Sequence, residues 1–411
     1  MTTEILLARQ PILDADQQIV AYELLFRDAE WAPELRPVGV AGDVATSRVL
    51  LNAFEELDIT AVVGRHQAYV NFTRQLILDP PPFDHRRITI EVLEDIEVDA
   101  LLVERLKALR ETGFAIALDD FVYGPEYEPL LELASVVKLD IRAHDEAGLA
   151  AQVELVRRPG ITLLAEKVET QAEFARCRAL GFELFQGYFF ALPERISGHR
   201  APALRHSVLQ LVAALQDPEA DFERIRDIII TDPIMTFKLI KLVNSAAMNR
   251  GSNVTSLQSA LGLLGLARVR SWASLLALSR LTDKSTALSV STLTRAHLCA
   301  ALGCIATRRE AADDYFTAGL LSTMAAYFDR NLSELLQELP ISAPIQRALL
   351  RHHGHMGTVL KACEQYDLGA YEQIQWWDLE GLGITAGKFE TAYREALTWA
   401  NLGEELLLNA A

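Results

Sequence analysis

The first half of the chain alternates short apolar runs with longer amphipathic ones. Runs at 19–26, 68–72, 88–92, 114–118, 136–140, 161–166 and 182–188 read as strands. Between them, apolar residues recur at helical spacing over 43–57, 101–110, 149–156 and 173–180. Gly113, the Pro159-Gly160 pair and Gly181 close the last three of these. The continuously apolar run 114–118 suits a strand covered on both faces, as in a parallel sheet.

About seven strands separated by helices predict a parallel sheet built from βα units. Nearly every strand carries a carboxylate, amide or ammonium near its C-terminal end: Glu23, Asn71, Glu91, Asp119 with Asp120, Lys138 with Asp140, Glu166 and Gln186. A TIM-type (β/α)8 barrel assembles its site from several strand ends at one face, and this α/β fold is predicted here. The rival, an open doubly wound sheet, normally starts with a glycine-rich phosphate turn, and the sequence contains no GxGxxG or Walker motif.

Residues 193–202, PERISGHRAP, read as a linker, and beyond it strand signals nearly vanish. Helices are predicted over 204–215 and 222–230. Another starts at Asp232-Pro233 and buries Ile234, Phe237, Leu239, Ile240 and Val243. Further helices start at Thr255-Ser256-Leu257-Gln258 and span 266–278. The predicted division is a barrel over 1–195, a linker over 196–202 and an all-α helical bundle over 203–411.

The length of 411 residues agrees with two domains. The formal charge of −17, from 56 acids against 39 bases, disfavours direct binding to nucleic acid or anionic membrane. Cys177, Cys299, Cys304 and Cys363 form no CxxC pair, which suggests neither a zinc site nor a disulfide framework. The opening MTTEILLARQPI lacks the pattern of a signal peptide, and no stretch of about 18 consecutive apolar residues exists. A cytoplasmic protein is expected.

Glu23, Asn71, Glu91, Asp119, Asp120 and Glu166 are hard oxygen donors, which select Mg²⁺, Mn²⁺ or Ca²⁺ over zinc. Six such groups exceed what one hydrated ion needs, so two ions are expected, an arrangement that clamps in-line attack on a phosphodiester. Lys138 would orient the attacking water or offset phosphorane charge. Glu166 is a ligand or the general base, and Gln186 positions a water or ligand oxygen.

These residues fall in motifs that resemble EAL domains, the cyclic di-GMP phosphodiesterases. YELLFR gives Glu23, VNFT gives Asn71, and IEVLE gives Glu91 and Glu94. LDDF gives Asp119 and Asp120, VKLD gives Lys138 and Asp140, AEKVET gives Glu166 and Glu169, and FQGY gives Gln186. The motifs stand in the family's order over residues 4–195. The resemblance implies that Glu23, Asn71, Glu91, Asp119, Asp120 and Glu166 hold two Mg²⁺ or Mn²⁺ ions. Glu166, Lys138 and Gln186 would serve catalysis, Glu94, Asp140 and Glu169 would support loops, and the product would be linear pGpG. A homodimer is also implied. Departures are ELL for EAL, Val122-Tyr123-Gly124 where the family has Gly-Thr-Gly, and Lys167 in place of a glycine. The spacing from Asn71 to Glu91 is short at 20 residues. A displaced supporting loop costs large factors in rate. The alternative is therefore an inactive EAL domain that senses cyclic di-GMP or scaffolds partners.

The second half resembles HDOD domains, relatives of the HD phosphohydrolases, through TDPIMTFKLIKLVNSAAMN and VTSLQSALGLLGLARVRSW. Ser322 and Thr323 stand where a catalytic HD site has His and Asp, so no metal site and no hydrolase are expected there. His352, His353 and His355 read as a surface turn near Gly354. The helical half is expected to be an interaction or output module with a protein partner of its own.

Overall fold

The computed structural model describes residues 5–28, 59–80, 84–191, 203–217, 219–230, 284–307, 311–339 and 341–408, with isolated positions between 239 and 277. Two compact units result, one of residues 1–190 with 367–372, the other of 191–366 with 373–411. The helices predicted over 43–57, from Asp232 and from Thr255, and the linker 193–202, lie outside the described residues, as does most of 266–278.

The first unit is a closed barrel of eight strands in sequence order. They are β1 (Ile5–Leu13), β2 (Ile19–Asp28), β3 (Gln67–Phe72), β4 (Ile88–Val92), β5 (Ala115–Leu118), β6 (Val136–Asp140), β7 (Thr162–Glu166) and β8 (Leu184–Gln186). From β2 to β8 neighbours run parallel. β1 departs from the predicted all-parallel sheet: it pairs antiparallel with β2 and closes the barrel antiparallel to β8. Pro11 stands inside β1 although a proline cannot donate to a ladder. Its neighbour β8 meets β1 only at Ile12 and Leu13, so the missing donor falls outside that short ladder.

Side chains alternate across a strand with period two, and this stacks the barrel interior into layers. Ile12, Ala21, Tyr69, Ala117, Val136 and Leu164, with Leu184, form one buried apolar cluster. Two residues further along β2, β3, β5, β6, β7 and β8 stand Glu23, Asn71, Asp119, Lys138, Glu166 and Gln186. A polar layer therefore rests directly on an apolar one.

Helix starts are fixed locally. Asp99 caps Ala100–Glu111 and Asp145 caps Glu146–Val156. Thr170 and Glu173 form a capping box on Gln171–Ala179.

In the second unit Thr286–Ala306 is the central helix, packed against Ala312–Leu321 and Ala386–Leu408. Among the described residues it is the one helix long and apolar enough to cross a membrane, and 67% of its most apolar window is buried inside the structure. Gly319 lets two helices approach closely, because a Cβ there would lie 2.8 Å from the Ala296 Cα. His352 adopts a left-handed conformation, φ 49°, at the end of Ala343–Arg351, and His352, His353 and His355 are exposed around Gly354.

The turn after β8 requires a glycine. Gly187 has φ 147°, and a Cβ there would fall 1.9 Å from the Val168 carbonyl oxygen. We expect Gly187→Ala to lower unfolding free energy by roughly 3 kcal/mol in urea denaturation.

Candidate functional site

The polar layer converges on one ammonium. Lys138 is fully buried, and its Nζ lies 2.6 Å from Asp119 Oδ1, 2.7 Å from Glu91 Oε1, 3.0 Å from Glu166 Oε1 and 3.3 Å from Glu23 Oε2. Register explains the meeting. Asn71 pairs with Glu91 across β3 and β4, and both sit in the same layer as Lys138. Asn71 Nδ2 donates to Glu23 Oε1 at 3.5 Å. Gln186 Nε2 donates to Glu23 Oε2 and, at 2.9 Å, to Gln10 Oε1. Gln10 went unread in the sequence because β1 did. Its signal was its position two residues before the inward-facing Ile12.

Were all four carboxylates ionised, they and the one ammonium would sum to a formal −3 (−4 from Glu23, Glu91, Asp119 and Glu166, +1 from Lys138). Burial alone would lower the lysine pKa. The charges of Glu23, Glu91, Glu166 and Asp119 outweigh it and hold the ammonium well above the usual lysine range. Burial, then the neighbouring Glu23, drives the Glu91 carboxyl well above the usual range. Burial likewise pushes Glu166 up to about 8, against the pull of Lys138.

The donor set fits a hard divalent cation. Asn71 Oδ1, Glu91 Oε2, Glu166 Oε2 and Gln186 Oε1 are buried oxygens with no hydrogen-bond partner, and the surplus charge is negative. Among the described residues no three acid, histidine or cysteine side chains already surround one open point. The point that Glu23, Glu91, Asp119 and Glu166 share is taken by the Lys138 Nζ.

The remaining predicted residues lie outside this ring. Asp120 follows Asp119 but turns away, with φ 38°. Lys167 Nζ lies 3.4 Å from Asp120 Oδ1 and 2.6 Å from Asp140 Oδ2. Glu169 pairs with Arg142 at 2.6 Å on the surface. Glu94 lines a cavity of about 330 Å³ beside the ring, with Asp119, Asp120, Tyr123 and Glu126. The divergent loop packs over this cavity. Tyr123 N donates to Gln152 Oε1 at 3.0 Å, and Val122 is 52% exposed.

In the helical unit, Ser322 Oγ accepts from Arg295 Nη1 at 3.0 Å and donates to the Gly319 carbonyl. Thr323 Oγ1 lies 2.9 Å from Thr292 Oγ1. Both hydroxyls close helix-to-helix contacts.

Both halves match known families. The EAL domain matches residues 56–193 and the HDOD domain residues 201–353. Nearly end to end, the chain is similar to YuxH of Bacillus subtilis, 32% identical over 97% of this chain and 98% of that protein. It is also similar to the cyclic di-GMP phosphodiesterase CdgJ of Vibrio cholerae, 30% identical over 96% of this chain and 91% of that one. Among solved structures it resembles Klebsiella pneumoniae BlrP1 in a manganese and cyclic di-GMP complex, 24% identical over 46% of this chain and 55% of that one, TM-score 0.36. The chain belongs to the EAL–HDOD family of two-domain proteins.

Removing the central cation strands four buried acids. We expect Lys138→Met to destabilise the metal-free protein by about 3–5 kcal/mol in denaturant unfolding, with part restored by millimolar Mg²⁺. The Glu166 carboxyl has an ordinary value of 4.5 and a native value of about 8. Between these values the native state binds more protons than the unfolded chain. Stability of the metal-free protein should therefore fall as pH rises from about 5 to about 8, with Glu166 alone contributing up to about 1.4 kcal/mol per pH unit and the raised Glu91 carboxyl adding to the same trend. Urea unfolding across that range, with chelator, measures it.

Proposed function

We propose that the barrel is a cyclic di-GMP phosphodiesterase that opens its substrate to linear pGpG with Mg²⁺ or Mn²⁺. The observation that carries the reading is the convergence of Glu23, Glu91, Asp119 and Glu166 in one buried layer that also holds unsatisfied oxygens. The end-to-end similarity to CdgJ supports the substrate.

In this reading Glu23, Asn71, Glu91, Asp119, Asp120 and Glu166 would together hold two divalent ions. Divalent ions, when bound, neutralise the phosphodiester and acidify a water for in-line attack. Lys138 would orient the attacking water or offset the charge that grows on the phosphate oxygens. Glu166 would serve as a ligand or as the general base. Gln186, braced by Gln10, orients the Glu23 carboxylate. Glu94, Asp140 and Glu169 support the loops around the mouth.

The domain limits we propose are 1–195 for the barrel and 203–411 for the helical domain, joined by 196–202. The helical domain acts as an output module for a protein partner, and the protein works as a homodimer in the cytoplasm. A second reading, a sensor that binds cyclic di-GMP without cleaving it, is favoured by the Val122-Tyr123 loop.

Cyclic di-GMP turnover, followed by chromatography of pGpG, decides between the two. We expect metal-dependent hydrolysis, abolished by EDTA and lowered at least about 100-fold by Glu23→Ala. Nucleotide binding by calorimetry without any turnover would establish the sensor instead.

A further inference from the structure

Two thiols meet inside the helical unit. Cys299, on Thr286–Ala306, and Cys363, on Gly354–Asp367, are 64 residues apart in the chain, and Cys299 Sγ donates to Cys363 Sγ at 3.6 Å. Both are buried, and both stand as thiols. No linear motif joins them; the approach of the two helices does. Arg295 precedes Cys299 by one turn on the same helix face, and Glu364 follows Cys363. Arg295 Nη1 lies 4.0 Å from Glu364 Oε1, so an ion pair stands beside the thiol pair. Glu364 Oε2 in turn lies 2.8 Å from His352 Nε2, on a side chain that is 38% exposed. The thiols are thereby neighbours of a polar chain that reaches the surface at His352.

We propose that Cys299 and Cys363 form an oxidative modification site: hydrogen peroxide converts the pair to an intramolecular disulfide that ties Gly354–Asp367 to Thr286–Ala306, and a thiol reductant reopens it. The inference is independent of the chemistry in the barrel. A disulfide holds its sulfurs about 2.05 Å apart, so from 3.6 Å the thiols have roughly 1.5 Å to close. Rotation of both side chains about their Cα–Cβ bonds covers such a distance.

The step balances. One thiolate attacks the peroxide: an S–O bond forms, the O–O bond breaks, and the leaving hydroxide takes up the thiol's proton as water. The second sulfur attacks the resulting sulfenic acid: the S–S bond forms, the S–O bond breaks, and a second water carries off the remaining proton. Two electrons pass from sulfur to oxygen. Burial sets the rate, since peroxide reaches the pair when the helices part locally. In a reducing compartment glutathione keeps such thiols reduced, so the bond answers to an oxidant and is not a permanent staple. Cys304, half-buried, and Cys177, buried in the barrel unit, are not paired with a thiol among the described residues and serve as internal controls.

Peptide mapping of the full chain by mass spectrometry tests this. The reduced protein, moved into buffer without reductant and treated with hydrogen peroxide, should yield a Cys299–Cys363 linked peptide two hydrogens lighter than its parts. Cys177 and Cys304 should remain open to alkylation, and dithiothreitol should restore the pair. Amide exchange across 354–367 should slow at least about threefold in the oxidised form and return on reduction. Cys363→Ala should abolish the link. The Cys177→Ala/Cys304→Ala variant leaves the pair untouched and should behave as the natural protein does, which keeps the test decisive where Cys363→Ala fails to fold. Peroxide that leaves both residues as thiols, carries either to sulfinic acid without linking them, or joins them only between molecules overturns the proposal. A linked pair with unchanged exchange across 354–367 overturns it as well.

Discussion

The barrel depends on one buried ammonium. Carboxylates on β2, β4 and β7, with Asp119 just past β5, cannot share a dry layer unless something positive stands among them. Lys138 supplies that charge from β6, within 3.3 Å of all four acids. Desolvating a lysine is costly, and here the cost is offset by attraction to several partners at once. The lysine thus lets the chain fold with its acid ring assembled, and the ring still carries surplus negative charge for a ligand to neutralise. Stability and site chemistry meet at the same atom.

The barrel was legible because each strand writes its face in alternate residues. Ala21 and Glu23, Tyr69 and Asn71, Val136 and Lys138 show it: apolar below, polar above, two positions apart. The antiparallel β1 was not legible, since only its pairing with β2 reveals it. In sequence Asp119 and Asp120 stand side by side as two ligands at one strand end. In space the two separate, Asp119 to Lys138 and Asp120 to Lys167, because adjacent residues leaving a strand face different ways and Asp120 takes a left-handed turn. Lys167 was visible as a departure from the family, but its reach to Asp140 is a fact of three neighbouring strand ends and of no linear motif.

The helical domain shows the opposite use of polar residues. Ser322 and Thr323 are spent on contacts to Arg295 and Thr292, and Gly319 brings their helix close against Thr286–Ala306. Tyr366, fully buried, donates to Glu390 at 2.7 Å among Phe389 and Tyr393. The Ser322 and Thr323 hydroxyls serve as packing and cross-links.

The stacking of a polar layer on an apolar one inside the barrel has a consequence for how such a site can change over time. Membership in either layer is decided by parity along each strand. A single-residue insertion within β3 or β7 would exchange the two layers on that strand, sending Asn71 or Glu166 outward and an apolar neighbour into the ring. Length variation is therefore confined to the loops, while the strands can alter only by replacement of one side chain at a time. The site is open to chemical revision and closed to frame-shifting of its strands, so new behaviour would enter through positions such as 122, 123 and 167, just beyond the strand ends.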